Sequence, residues 1–456
     1  MTTDTSSIAS RDIAFQVHPF TQLRKHEAAG PQVVTRGQGI YVYDEEGREY
    51  IEGMAGLWCT SLGFGEERLV EAAARQMRRL PYYHLFNHKT HDVAVDLAER
   101  LIALMPVRMS HVFFNNSGSE ANDTAVKLCW YYNNARGRYR KKKIIARLRG
   151  YHGVTVAAGS LTGILTVHRD FDLPIPNVRH ADCPDYYRSG KPGESEEEFA
   201  TRLAESLENQ ILREDPETVA AFIAEPVMGA GGVIVPPRTY FEKIQAVLKK
   251  YDVLLIADEV ICGFGRTGRM FGSETYGLWP DIMTLAKGLS SAYLPISATV
   301  IAEELYQALL QQSDKIGIFA HGYTYSGHPA SCAVALETLN ILEERDLVGH
   351  VQRVAPPFQA GLRRFADHPL VGNVRGVGLL GGVELVRDKT TRTLFDPPGS
   401  VGDIFSARAK DHGLIARNLQ DTVALCPPLI ITEAEIDEML RRFEKALVDT
   451  TAAIGD

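Results

Sequence analysis

Four short segments carry residues able to do chemistry, and each directly follows an apolar run. Ser117-Gly118-Ser119-Glu120 follows HVFFNN and leads into a helix-like stretch. Small residues there let backbone N–H groups and hydroxyls approach an anion at a helix N-terminus, although a serine N-cap with its glutamate gives the same letters. Gly150-Tyr151-His152-Gly153 sets an aromatic between glycines at a strand end, where it can stack on a planar ring or simply make a turn. Asp258 closes the run VLLIAD, and a carboxylate there needs a charged or hydrogen-bonded partner. A protonated pyridine nitrogen would serve, as would a protein cation or, given a phosphate loop that this chain lacks, Mg²⁺. Lys287 ends TLAK, where partial desolvation would lower its pKa and make the amine nucleophilic, in contrast to the solvated lysine that is the ordinary case.

The elements that must position these residues are legible in the periodicity. Residues 33–52 alternate apolar and polar around Gly37, Gly39 and Gly47, which predicts short antiparallel strands. From about residue 66 the spacing turns helical, in ERLVEAAARQMRRL and HDVAVDLAERLIAL. The middle of the chain alternates strands (HVFFNN, KIIAR, AAFIAEP, VLLIADEV, DIMTLAK) with helices. That is an α/β pattern with a largely parallel, doubly covered sheet, whose ligands bind at the carboxyl ends of the strands. Residues 184–198 read as a polar surface loop, and a long helix starts near residue 330. A strand at GLLGGVEL and a helix near 403–412 follow. The expected plan is a large domain over residues 66–330 and a smaller α+β domain built from residues 1–65 and 331–456.

The bulk properties narrow the class. The chain has 456 residues, 45% hydrophobic and 23% charged, with a net charge of −8, which disfavours general nucleic-acid binding. The basic run Arg138, Arg140, Lys141, Lys142 and Lys143 fits a solvated approach to a strand better than a polyanion patch. Six scattered cysteines form no Cys-x-x-Cys pair, so neither disulfides nor a zinc site is expected. The first twelve residues carry no signal pattern and no apolar run spans a membrane, so a cytoplasmic location is expected.

With these pieces assembled, the chain resembles the class III, fold type I aminotransferases that use pyridoxal 5'-phosphate, most of all the ω-amino acid and amine:pyruvate transaminases. The resemblance rests on MAGLWC at 54–59, NSGSEANDTAVK at 116–127, YHG at 151–153 and AEPVMGAGGVIVPP at 224–237. It continues through IADEVICGFGRTG at 256–268, LAKGLSS at 285–291, HGYTYSGHP at 321–329 and GLIAR at 413–417. It implies Lys287 as the catalytic amine that holds the cofactor. Ser117, Gly118 and Ser119 would hold its phosphate, with Thr324 from a second subunit, so that a homodimer with shared sites (or a tetramer) is implied. Tyr151 and Val260 would cover the two ring faces, Asp258 would pair with the ring nitrogen, and Glu225 would lie on the hydroxyl side. Trp58, Phe86, Tyr151 and Tyr323 would line the substrate pocket, and Arg417 would anchor a carboxylate bidentately. Many ω-amino acid members carry a glutamate five residues after the Glu-Pro glutamate; Ala230 stands there, and Met228 replaces a common glutamine. The implied reaction is ping-pong transfer of an amino group from an amine, diamine or ω-amino acid to pyruvate, giving alanine.

Competing readings carry less. A decarboxylase or aminomutase shares the fold. Two G-x-G-x-x-G matches, at Gly263–Gly268 and Gly376–Gly381, would suggest a dinucleotide oxidoreductase, but neither sits in a strand–turn–helix unit followed by an acid. His84, His88 and His91 could share a helix face, but no carboxylate or cysteine cluster joins them, so no metal is expected.

Overall fold

A computed structural model describes residues 7–455; the first six of the residues read above for a signal pattern lie outside the described residues. The central element is a seven-stranded sheet. Its spatial order is His111–Asn115, Ser297–Ile301, Ile282–Leu285, Leu254–Asp258, Val219–Ala224, Lys143–Arg147, Val178–Ala181. Only Ser297–Ile301 runs antiparallel to its neighbours, so the expected mostly parallel sheet is present. Strands Val219–Ala224 and Leu254–Asp258 are buried at every position, which is why they read as unbroken apolar runs. The helix Gly118–Ala135 packs across this sheet, and Tyr240–Lys250 packs on Leu254–Asp258.

The alternating N-terminal stretch forms the antiparallel strands Val34–Gln38, Tyr41–Asp44 and Glu49–Glu52. A fourth strand, Leu414–Ile415, joins them in parallel, placing Leu414 beside Ile51 and Ile415 beside Glu52. A third sheet orders Val371–Val377, Leu380–Leu385, Thr422–Leu425 and Arg417–Leu419. Thus Leu414–Ile415 and Arg417–Leu419, one residue apart, belong to different sheets. The long helix runs from Pro329 to Glu344, packed on Glu67–Arg79 and Asp92–Leu104, and the later helix from Ser400 to Asp411.

Three expectations need correction. Residues 184–198 are not simply a surface loop: Tyr186–Ser189 forms a helical turn, and a capping box of Ser195 and Glu198 starts the helix Glu196–Arg213. Asp185 is buried because it both caps that turn, accepting from Arg188 N, and pairs with Arg149 at 2.7 Å. The basic run is not uniformly solvated either. Lys141 is buried, and its Nζ donates to the carbonyls of Tyr251 and Asp252, at the C-terminal end of Tyr240–Lys250, where a cation is favoured. Arg138 and Arg140 pair with Asp252 and Asp215. Finally, residues 80–91 are not helical, so His84, His88 and His91 share no helix face. His84 stacks on Tyr83, and His91 caps the helix Asp92–Leu104.

Candidate active site

Parallel strands bring their carboxyl ends to one edge, and a cavity of about 570 Å³ opens there. Ser117, Gly118, Ser119, Tyr151, Glu225, Asp258, Val260 and Lys287 all line it. The four segments picked out from the sequence therefore converge.

Ser117 is the N-cap of the eighteen-residue helix Gly118–Ala135; its Oγ accepts from Glu120 N at 3.2 Å. The capping reading is met, and the N–H groups of Gly118 and Ser119 have no partner among the described residues, so they are free to meet an anion. A Cβ on Gly118 would press on both methyls of Val260 at 3.2 Å, and one on Gly153 (φ +130°) would stand 2.4 Å from Ser119 Oγ. The glycines keep this floor thin.

Asp258 is buried and held from three sides. Its Oδ2 meets His152 Nδ1 at 2.8 Å and accepts from Asn122 Nδ2 at 2.8 Å, while Oδ1 accepts from Val260 N at 3.1 Å. Asn122 also donates to the carbonyl of His152 at 2.7 Å, which locks helix, loop and strand together. Glu225 accepts from the N–H groups of Tyr151 and Gly229, both at 3.0 Å, and burial raises its pKa.

Lys287 sits in the left-handed region (φ +47°) at the start of the turn Lys287–Leu289. Strained backbone of this kind persists where the surroundings fix it. Its Nζ has no hydrogen bond or ion pair among the described residues. Burial pushes the amine below the ordinary lysine range, against the pull of nearby Cys59, Asp258 and Glu225.

The remaining expected residues lie outside this cavity. Arg417 is half-buried close to Tyr151, burial lowers its pKa, and its guanidinium makes no ion pair among the described residues. Trp58 (φ +65°) is buried in an apolar cluster with Met54, Val227 and Ile261, its Nε1 unpartnered; Leu57 and Cys59 line the cavity instead. Phe86 lies against Gly322 on a second cavity of about 1030 Å³. Tyr323 reaches Thr124 Oγ1 and the Glu120 carbonyl, both at 3.4 Å, and Thr324 is exposed, its carbonyl accepting from Tyr82 Oη at 2.8 Å.

Several contributors escaped the sequence reading. Asn122 and His152 orient Asp258, and Phe20 sets its ring edge-on to Tyr151 at 6.3 Å between centroids. His152 lies in the Gly150–Gly153 motif, where the aromatic Tyr151 is the more evident ring partner. Asn122, one turn into the helix after Ser119, is a polar residue on an otherwise small and apolar face, and that was its signal.

An anion cradle, a buried acid and an unpaired amine facing one cavity define the site of a fold type I pyridoxal-phosphate enzyme. The class III aminotransferase model matches residues 23–447, and the chain belongs to that family. Members of the family use pyridoxal phosphate, and the cradle at Ser117–Ser119, Asp258 and the free Lys287 Nζ fit that group. The omega transaminase from Pseudomonas jessenii, solved in complex with PMP, is 55% identical, covers 99% of each chain and superposes with a TM-score of 0.98. A thermostable omega transaminase variant W58M/F86L/R417L, engineered for asymmetric synthesis of enantiopure bulky amines, also gives 0.98 at 55% identity over 98% of this chain and 100% of that one. The mitochondrial gamma aminobutyrate transaminase 1 of Solanum lycopersicum is 52% identical over 96% of this chain and 85% of its own length. No helix among the described residues is long and apolar enough to cross a membrane.

Proposed function

We propose that this aminotransferase moves an amino group from an amine, diamine or ω-amino acid to pyruvate, forming alanine. The observation that carries the reading is Arg417, a half-buried guanidinium beside Tyr151 with no acidic partner among the described residues. A planar cation left unpaired next to a reaction cavity suits a small carboxylate. The residue five places after Glu225 is Ala230, so no carboxylate at that position neutralises Arg417 when the bound donor lacks an acid.

In this reading Ser117, Gly118 and Ser119 hold the phosphate, Asp258 meets the ring nitrogen, Tyr151 and Val260 bracket the ring, and Glu225 lies on its hydroxyl side. When bound, pyridoxal phosphate supplies an electron-withdrawing ring that acidifies a carbon-bound proton of the donor amine. Lys287 Nζ, whose pKa burial lowers, takes that proton and returns it, acting in turn as base and acid. Asn122 and His152 hold the Asp258 carboxylate aimed at the cavity. Donor and acceptor use the site alternately, and Arg417 grips the acid of whichever carries one.

In this reading the substrate pocket draws on Trp58, which sits in the apolar cluster behind Leu57 and Cys59, and on Phe86, Tyr323 and a phosphate contact from Thr324 supplied across a homodimer. The substitutions in the engineered transaminase, W58M, F86L and R417L, fall on residue types and numbers that this chain shares, which supports those assignments. Relatives named as gamma aminobutyrate transaminases support ω-amino acid donors. The relatives' mitochondrial and chloroplastic names leave the proposed cytoplasmic location to be tested by fractionation.

A donor panel (arylalkylamines, diamines, β-alanine, 4-aminobutyrate) run with pyruvate beside 2-oxoglutarate tests the reading. Alanine should accumulate with pyruvate and no carbon dioxide should be released. Exclusive use of 2-oxoglutarate, or decarboxylation without alanine, overturns it.

A further inference from the structure

The N-terminal segment carries a cluster unrelated to the cavity described above. Asp12 lies on the helix Ile8–Phe15, His18 on the following loop and His26 on the helix Leu23–Ala29. His18 Nε2 is 2.9 Å from both oxygens of the Asp12 carboxylate, and His26 Nε2 is 2.8 Å from Oδ2. The imidazole centroids are only 4.0 Å apart, so two rings aim the same nitrogen at one carboxylate. The three donor atoms lie within 4.8 Å of one another, and no other such group of three His, Cys, Asp or Glu side chains occurs among the described residues. The side chains of Asp12 and His26 are mostly shielded, at 12% and 10% exposure, and His18 keeps 25%.

We propose that Asp12, His18 and His26 form a binding site for a first-row transition-metal dication such as Zn²⁺, which ties the two N-terminal helices together. Two imidazoles and one carboxylate are a borderline donor set suited to such ions; Mg²⁺ and Ca²⁺ prefer oxygen ligands throughout. Bonds of about 2.0–2.1 Å around a tetrahedral ion put donor atoms roughly 3.3 Å apart, a small expansion of the 2.8–2.9 Å between the carboxylate and each imidazole nitrogen. Three protein donors leave one position for water. Each imidazole binds through its Nε2 lone pair, so a proton on Nε2 moves to Nδ1 or is released to solvent. Unlike the expectation of no metal, which considered His84, His88 and His91, this group spans two helices and a loop and has the carboxylate those histidines lack. The loop between the ligands carries Phe20, the residue set against Tyr151, so an ion here would stiffen the chain beside the cavity mouth.

The test uses untagged holoenzyme, stripped with a chelator and titrated with Co²⁺, whose visible absorption reports coordination, and then with Zn²⁺ in competition. One ion per chain should bind. His18→Gln and His26→Gln, which keep a side-chain hydrogen-bond donor, should each weaken binding by more than about tenfold. His84→Gln should bind as the wild type does, and cofactor absorbance in all variants serves as the check on folding. Zn²⁺ should also slow proteolytic cleavage within residues 12–26 of the wild type and not of His26→Gln. Absence of saturable uptake, or equal uptake by the histidine variants, overturns the site; unchanged cleavage overturns the tie between the helices.

Discussion

His152 and Asp258 are joined at 2.8 Å through Nδ1 and Oδ2, with both side chains almost fully buried, and His152 Nε2 meets no partner among the described residues. The imidazole thus spends its only hydrogen bond on the acid that faces the cavity. Replacing His152 with Gln should leave the fold intact but slow the half-reaction with amine, whereas Asp258→Asn should cost about 10²–10⁴-fold, the scale of a lost acid–base or electrostatic partner. Stopped-flow absorbance of the cofactor reads both. If Asp258→Asn keeps the wild-type rate, the assigned role of Asp258 is wrong.

Lys287 is the sharpest case. Wild-type protein should be yellow, and borohydride should fix the chromophore to the chain; Lys287→Ala should release it on denaturation and lose activity by at least about 10²-fold. Because burial lowers the amine's pKa, its basic form is lost only as pH falls through that lowered value. The acid limb of the rate profile should therefore lie below the ordinary lysine range. A limb at the position of free lysine contradicts this.

Arg417→Ala should raise the KM for pyruvate and reduce kcat/KM for it by about 2–3 kcal/mol, or roughly 30- to 150-fold, the worth of a charge-assisted pair. The half-reaction with an amine that has no carboxylate should change little. Equal losses for both substrates would point to a packing role for the arginine.

Glu52 offers a stability measurement away from the chemistry. Burial raises its pKa from 4.5 to about 7, and Met54 N donates to it at 3.0 Å. A group raised on folding favours the folded state below its unfolded pKa, and that contribution is lost as pH climbs through the folded value. Relative to Glu52→Gln, the wild type should lose up to about 3 kcal/mol between pH 4.5 and pH 7. Denaturant midpoints for the pair, measured across this window, should converge at the acid end and separate at the neutral end. Parallel curves would refute the shift.

The sheet was legible because Val219–Ala224 and Leu254–Asp258 are apolar at nearly every position and end in small or acidic residues. Other parts obey contacts that a local pattern does not contain. The helix Leu347–Arg363 holds Pro356 and Pro357, two residues that argue against a helix, and it survives because Val351, Val354, Phe358 and Leu362 are buried along it. Phe20 beside Tyr151 is separated from it by some 130 positions, and no periodicity announces such a meeting. Asn122 stands out on its helix face only as a polar residue; its partner, Asp258, lies 136 positions away on a strand. Trp58 shows the reverse: its motif was recognised, but its burial behind Leu57 follows from the non-helical Gly56 and Leu57, which turn the indole inward.

The parallel pairing of Glu49–Glu52 with Leu414–Ile415 has a consequence for biogenesis. Ile51 emerges from the ribosome long before Leu414, and at 5–20 residues per second the interval is roughly 18–70 s. Throughout that time the N-terminal hairpins have an unpaired edge, an invitation to aberrant strand pairing. Arg417 is synthesised two residues after the strand that closes this edge. On the role proposed for Arg417, carboxylate recognition can arise only after that closure, and a polypeptide released before it keeps Lys287 without this arginine.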